Sequence, residues 1–142
     1  MCLFIDKNFH KHGYQIKKAE KDIECFKILM KYPWSDCLET ACMCTPVEDA
    51  YITDKVPFYG DSNVFRRWLR RIFHTDTING GYIHTYNARE VVKNWIGRDY
   101  TVHVYRCIIP KGTYYYVGRD TDYASECIIF KEELTTQPQT FF

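Results

Sequence analysis

The stretch "DYTVHVYRCIIPKGTYYYVG", residues 99 to 118, constrains the fold more than any other part of the chain. Val102, Val104 and Arg106 alternate with His103, Tyr105 and Cys107, Pro110-Lys111-Gly112 supplies a turn, and Thr113 to Val117 form a second extended run. A period of two puts alternate side chains on opposite faces, and the short turn brings the two runs back beside each other. The chain must therefore build an antiparallel sheet and bury at least one face of it.

Other segments extend this sheet. Asp22 to Tyr32 reads as a strand, with Ile23, Cys25, Lys27, Leu29 and Lys31 on one face and Phe26, Ile28 and Met30 on the other. Pro33 ends it, because proline has no N–H for a ladder and drives the preceding residue into extended geometry. Irregular short strands are expected around Ala50 to Ile52. Tyr82 to Tyr86 alternate as a short strand of β-branched and aromatic residues. "ECIIFKEEL", from Glu126 to Leu134, forms the last strand. Residues 1–20 read as a weakly ordered lead-in and 135–142 as a tail.

Two segments carry a helical period. In "SNVFRRWLRRIFH" Phe65, Trp68, Leu69, Ile72 and Phe73 fall on one arc, and Arg66, Arg67, Arg70 and Arg71 fill the opposite one, with Ser62 or Asn63 as the cap. Asn87, with Glu90 three residues on, caps a second helix from Ala88 to about Trp95 that Gly97 ends. With 142 residues the chain suits one domain. The expectation is a single α+β domain, 1–142, with a mostly antiparallel sheet packed against two main helices.

Composition narrows the function classes. A formal charge of +1 gives no global field to drive nonspecific nucleic-acid or membrane binding, so nucleic acid is an improbable partner and any electrostatic site must be local. The apolar run Cys2 to Ile5 is cut at once by Asp6 and Lys7, so no export leader is read, and no run approaches a membrane span. Cytoplasm is the expected compartment. Seven cysteines, an odd number, read as reduced thiols, and Cys37, Cys42 and Cys44 lack the second knuckle that a structural zinc site uses. His10 and His12 read as surface residues, and Asp120-Thr121-Asp122 as turn chemistry. No Gly-rich phosphate loop, GxSxG elbow or HExxH motif occurs. Catalytic residues therefore stay unassigned, and no cofactor or metal is expected.

Two candidate sites stand out. Arg66, Arg67, Arg70 and Arg71 present guanidinium groups suited to phosphate or to an acidic protein surface, against the alternative of a solvated polar face. His84 shares a strand face with Tyr82 and Tyr86 just before a helix N-terminus, where free N–H groups favour anions. The three form either a pocket wall or a packed face.

The segments "MCLFI", "DIECFKIL", "GGYIHTYNAREVV", "RCIIPKGTYYYVG" and "DYASECIIF" resemble, in that order along nearly the whole chain, a group of small uncharacterised proteins of gut bacteria and their phages. The "RRWLRR" segment departs from that group. The resemblance carries no activity over residue by residue. It implies a phage accessory protein, acting in the host cytoplasm, that sequesters a nucleotide-derived signal or another small anion, or blocks a host defence protein. Two alternatives remain: an NAD- or nucleotide-processing enzyme similar to ADP-ribosyltransferases, resting on His84 and Glu126, and an interaction module that uses the arginine segment.

Overall fold

The computed structural model describes residues 3–10, 16–40, 46–47, 52, 57–60, 77–78, 81–87 and 101–135. Every regular element among them is a strand, and every pairing is antiparallel. In chain order these are β1 (Leu3–Phe4), β2 (Lys17–Lys18), β3 (Ile23–Lys31), β4 (Leu38–Thr40), β5 (Pro46–Val47) and β6 (Phe58–Tyr59). Then come β7 (Thr77–Ile78), β8 (Ile83–Thr85), β9 (Thr101–Ile109), β10 (Tyr114–Val117), β11 (Tyr123–Ser125) and β12 (Cys127–Thr135).

The longer sheet runs β5-β4-β3-β9-β12-β6 and the shorter one β2-β10-β11-β8, while β1 pairs with β7. At the centre of the longer sheet β3 and β9 pair in unbroken register from Ile23 opposite Ile109 to Lys31 opposite Thr101. The register of β9 with β12 slips between Phe130 and Glu132 and again between Glu133 and Thr135. Such bulges bend and twist a strand. Besides the turn from β9 to β10, the sheets are joined at the end of β11 and at the end of β8. Only Glu126 separates β11 from β12, so one nearly continuous run passes from sheet to sheet. Tyr86 exchanges both backbone hydrogen bonds with Phe26, each 2.8 Å, which ties the end of β8 to β3. One of the resulting antiparallel sheets curves into a half-barrel.

The main core lies between these layers. Cys25 and Leu29 of β3, Tyr105, Cys107 and Ile109 of β9, and Ile128 and Phe130 of β12 meet Ile83 and Tyr115 from the shorter sheet. Each large apolar side chain fully buried there contributes about 1.5–3 kcal/mol. β3 is buried on both faces, because Ile28 joins Val102, Val104 and Tyr86 in a second cluster on the far side. A third cluster, Leu3, Ile5, Tyr82, Tyr116 and Ala124, lies on the outer face of the shorter sheet.

This corrects the α+β expectation. The described chain is all-β, and the inner face of its main sheet is covered by a second sheet rather than by two main helices. The helices expected after Asn63 and from Ala88 to Trp95 lie outside the described residues, as do Ala50 and Tyr51. The lead-in is also more than a lead-in. Its β1 and β2 pair within the sheets, and Leu3, Ile5 and His10 are buried. His10 Nε2 accepts the backbone N–H of Val117 at 2.7 Å, which leaves the ring proton on Nδ1 and makes this imidazole a core fixture rather than surface decoration.

Candidate functional site

The two runs expected to pair as a hairpin, β9 and β10, lie in different sheets, β9 between β3 and β12 and β10 between β2 and β11, and the turn that joins them borders an open concavity. That turn closes through Thr113 N–H to Pro110 O at 3.1 Å, with Gly112 at a φ of 92° that L side chains rarely adopt. Asp22 Oδ1 accepts the Lys111 N–H at 2.8 Å and pins the turn to the start of β3. On the other side β2 pairs with β10, placing Lys18 opposite Tyr114, and two further bonds of 2.8 Å extend the ladder from Ala19 to Thr113 and Gly112. Lys18, Ala19, Glu20, Lys111 and Gly112 line the resulting open depression of about 710 Å³.

Tyr114 does not line the depression, and alternation along β10 sets which of its tyrosines is exposed near Lys18. Tyr115 points into the core, so Tyr114 points out and remains exposed, with the Lys18 ammonium 6.0 Å from its ring centroid. Gly112 has no side chain to cover the turn, and a Cβ there would approach only Lys18 Cε, at 3.9 Å. Among the described residues the rim carries two ammonium groups against the single carboxylate of Glu20. Chemically this is a shallow cationic recess with an aromatic face beside it. Neither Lys18, Lys111 nor Tyr114 stood out in the sequence. The lysines are ordinary turn and surface residues until β2 finds β10.

The structure does bring Tyr82, His84 and Tyr86 to one face, since Ile83 and Thr85 point inward. Both tyrosines are packed away, Tyr82 edge-on against Tyr116 with centroids 5.6 Å apart and Tyr86 in the cluster over β3. His84 is half-buried between them, opposite Ala124, and its carbonyl accepts the Lys27 Nζ at 2.8 Å. None of the three lines the depression. Arg66, Arg67, Arg70 and Arg71 lie outside the described residues, as do Cys42 and Cys44.

In the core Cys25, Cys107, Thr85 and Lys27 are buried, with Thr85 and Lys27 close to Cys25. Cys25 and Cys107 face each other directly across β3 and β9, and both are fully buried. Burial pushes the Cys25 thiol up to about 12, against the smaller opposing influences of the Thr85 hydroxyl and Lys27. Burial raises Cys107 likewise, assisted by its neighbour Cys25. The Thr85 Oγ1 is buried with no hydrogen-bond partner of ordinary geometry among the described residues. Thiols held protonated in this way are poor nucleophiles and poor metal ligands. Elsewhere His103 Nδ1 donates to Glu133 at 2.6 Å, an oriented imidazole whose cross-strand neighbour on β3 is the apolar Leu29.

No protein-family model, curated protein or solved structure matches the chain. No helix among the described residues is long and apolar enough to cross a membrane.

Proposed function

We propose that the protein is a binding protein that sequesters a nucleotide-derived anion in the depression between β2 and the β9–β10 turn. The observation that carries this reading is the placement of Lys18 and Lys111 on one open recess, with the exposed ring of Tyr114 centred 6.0 Å from the Lys18 ammonium. A phosphate between two ammonium groups gains charge-assisted hydrogen bonds, and a base laid on the tyrosine gains a stacking contact. Glu20 on the same rim offsets part of the positive charge. That favours a ligand with one phosphate or a cyclic phosphodiester over a triphosphate. The resemblance to gut-phage proteins supports the accessory role, in which a host signal is removed by tight binding.

Trapping is preferred to turnover on geometry. Among the described residues Glu20 is the single carboxylate lining the recess, and no described histidine or cysteine lines it. His84 and Glu126, on which an ADP-ribosyltransferase-like reaction would rest, lie elsewhere on the shorter sheet and at its junction with β12. The test is to incubate the protein with a panel of linear, cyclic and NAD-derived nucleotides, remove unbound compound, denature, and weigh what is released. Retention of one nucleotide in unchanged form, lost in the Lys18→Ala, Lys111→Ala double variant, is the expected result. Retention of none overturns the binding reading, and release of an altered compound replaces it with an enzyme.

A further inference from the structure

The free end of β10 is closed by a hydrogen bond that acid can break. β2 pairs with β10 at Tyr114 and Tyr115, and beyond it the N-terminal strap, residues 3–10, continues along the same edge. There Val117 O accepts the Asp6 N–H at 2.9 Å, and the Arg119 N–H donates to Phe4 O at 2.8 Å. The Val117 N–H finds an imidazole in place of a carbonyl, donating to His10 Nε2 at 2.7 Å. A backbone carbonyl accepts throughout the neutral range, whereas an imidazole nitrogen accepts only while it carries no proton. His10 is 2% exposed, its own N–H bonds Asp6 O at 3.0 Å, and its ring packs against Phe9 and Tyr116 with centroids 4.9 and 5.3 Å away. A proton arriving at Nε2 sets a donor against a donor and leaves a charge out of reach of water. Opening the strap relieves both.

The strap also covers something. Leu3 and Ile5, both buried, pack with Tyr82, Tyr116 and Ala124 on the outer face of the shorter sheet. The described elements around His10 carry further charged and titratable groups. Asp6 and Lys7 belong to the strap, with Asp6 Oδ1 accepting the Asn8 N–H at 2.9 Å, and the Lys17 ammonium lies 4.5 Å from the Phe9 ring centroid. Past the end of β10 the Arg119 guanidinium lies 5.1 Å from the Phe4 ring centroid and the Asp122 carboxylate lies beside Gly118, while Tyr82 and Tyr116 bring phenols. Between about pH 5 and about pH 7.5 imidazole is the group of these kinds that ordinarily titrates. We infer that His10 is an acid-sensitive latch, whose protonation releases the strap from β10 and bares the apolar face of Tyr82, Tyr116 and Ala124.

The experiment follows native amide exchange of the full chain from about pH 7.5 to about pH 5, corrected for intrinsic exchange, in the parent and in His10→Gln. The glutamine side-chain oxygen can accept the same N–H without titrating. In the parent, protection of the Asp6, Val117 and Arg119 amides should fall by up to about tenfold per pH unit below about pH 6.5, while the Cys25 and Leu29 amides in the β3–β9 ladder keep theirs. In His10→Gln the fall should vanish. The inference is overturned if the three amides stay protected at about pH 5, if His10→Gln loses them in the same way, or if the β3–β9 ladder opens with them. Should His10→Gln not fold, the imidazole nitrogen-15 shifts of the parent decide. A proton that reaches Nε2 in step with the loss of Val117 protection supports the latch, and either change without the other overturns it.

Discussion

Lys27 Nζ donates a 2.8 Å hydrogen bond to the carbonyl oxygen of His84, so a buried ammonium on β3 of the longer sheet holds the middle of β8 in the shorter one. Beside the Phe26–Tyr86 exchange, this is the polar tie that fixes how the two layers meet. A buried carbonyl that loses its donor keeps the full penalty of desolvation. Lys27→Met, which preserves volume and removes the charge, is therefore expected to lower stability by about 2 kcal/mol in urea unfolding. An unchanged or higher midpoint would show that the tie contributes nothing net.

The thiols should sort by burial. Cys37 is exposed, while Cys25, Cys107 and Cys127 are buried and have their pKa values raised by burial. Brief alkylation of the native protein followed by peptide mass mapping should label Cys37 and leave those three unlabelled until denaturant is added. Native labelling of Cys25 or Cys107 would mean that the inter-sheet core opens readily.

The same burial sets a pH dependence. The Cys25 thiol stands at 9.0 when unfolded and at about 12 in the fold, so above pH 9 the unfolded chain releases a proton that the folded chain keeps. Its contribution to stability is whole below pH 9 and declines as pH rises from there towards 12. Cys107, Tyr115 and Tyr123, each raised by burial, act in the same direction. Urea midpoints should fall between about pH 8 and about pH 10.5, and less steeply in Cys25→Ala. An equal fall in that variant contradicts the assignment.

Two positions in the turn between β10 and β11 should respond with opposite sign. Thr121 has a φ of 61°, a left-handed conformation that crowds a β-branched residue, and is held there by bonds to Asp120 O and from Asn87 Nδ2. Thr121→Gly should raise stability by about 1 kcal/mol. A Cβ at Gly118 would collide with the Asp122 carboxylate and come within 2.9 Å of Leu3 Cγ. Gly118→Ala should lower it by about 1–3 kcal/mol. Thermal melting of the two variants side by side checks both.

What the sequence revealed was local. The period of two in Ile23–Lys31, the turn at Pro110 to Gly112 and the strand around His84 depend on neighbours in the chain, and each is present, but the hairpin expected around that turn is not, because β9 and β10 pair into different sheets. Closure of the core was not local. His10 reaches Val117 across 107 residues and Asp22 reaches Lys111 across 89, contacts that leave no periodicity behind. For the same reason Lys18 and Lys111 looked unrelated, and a basic lead-in concealed two strands and a core histidine. The aromatic content that suggested a pocket around His84 is spent largely on packing, as the burial of Tyr82, Tyr86 and Tyr116 shows.

Thermal melting of the parent and of Lys18→Glu, Lys111→Glu against linear, cyclic and NAD-derived nucleotides tests the binding account most directly. A ligand at about 100 times its Kd adds about 2.7 kcal/mol. The account predicts a clear rise in melting temperature for one nucleotide in the parent and none in the charge-reversed variant. A flat response in the parent, or an equal rise in both proteins, would contradict it.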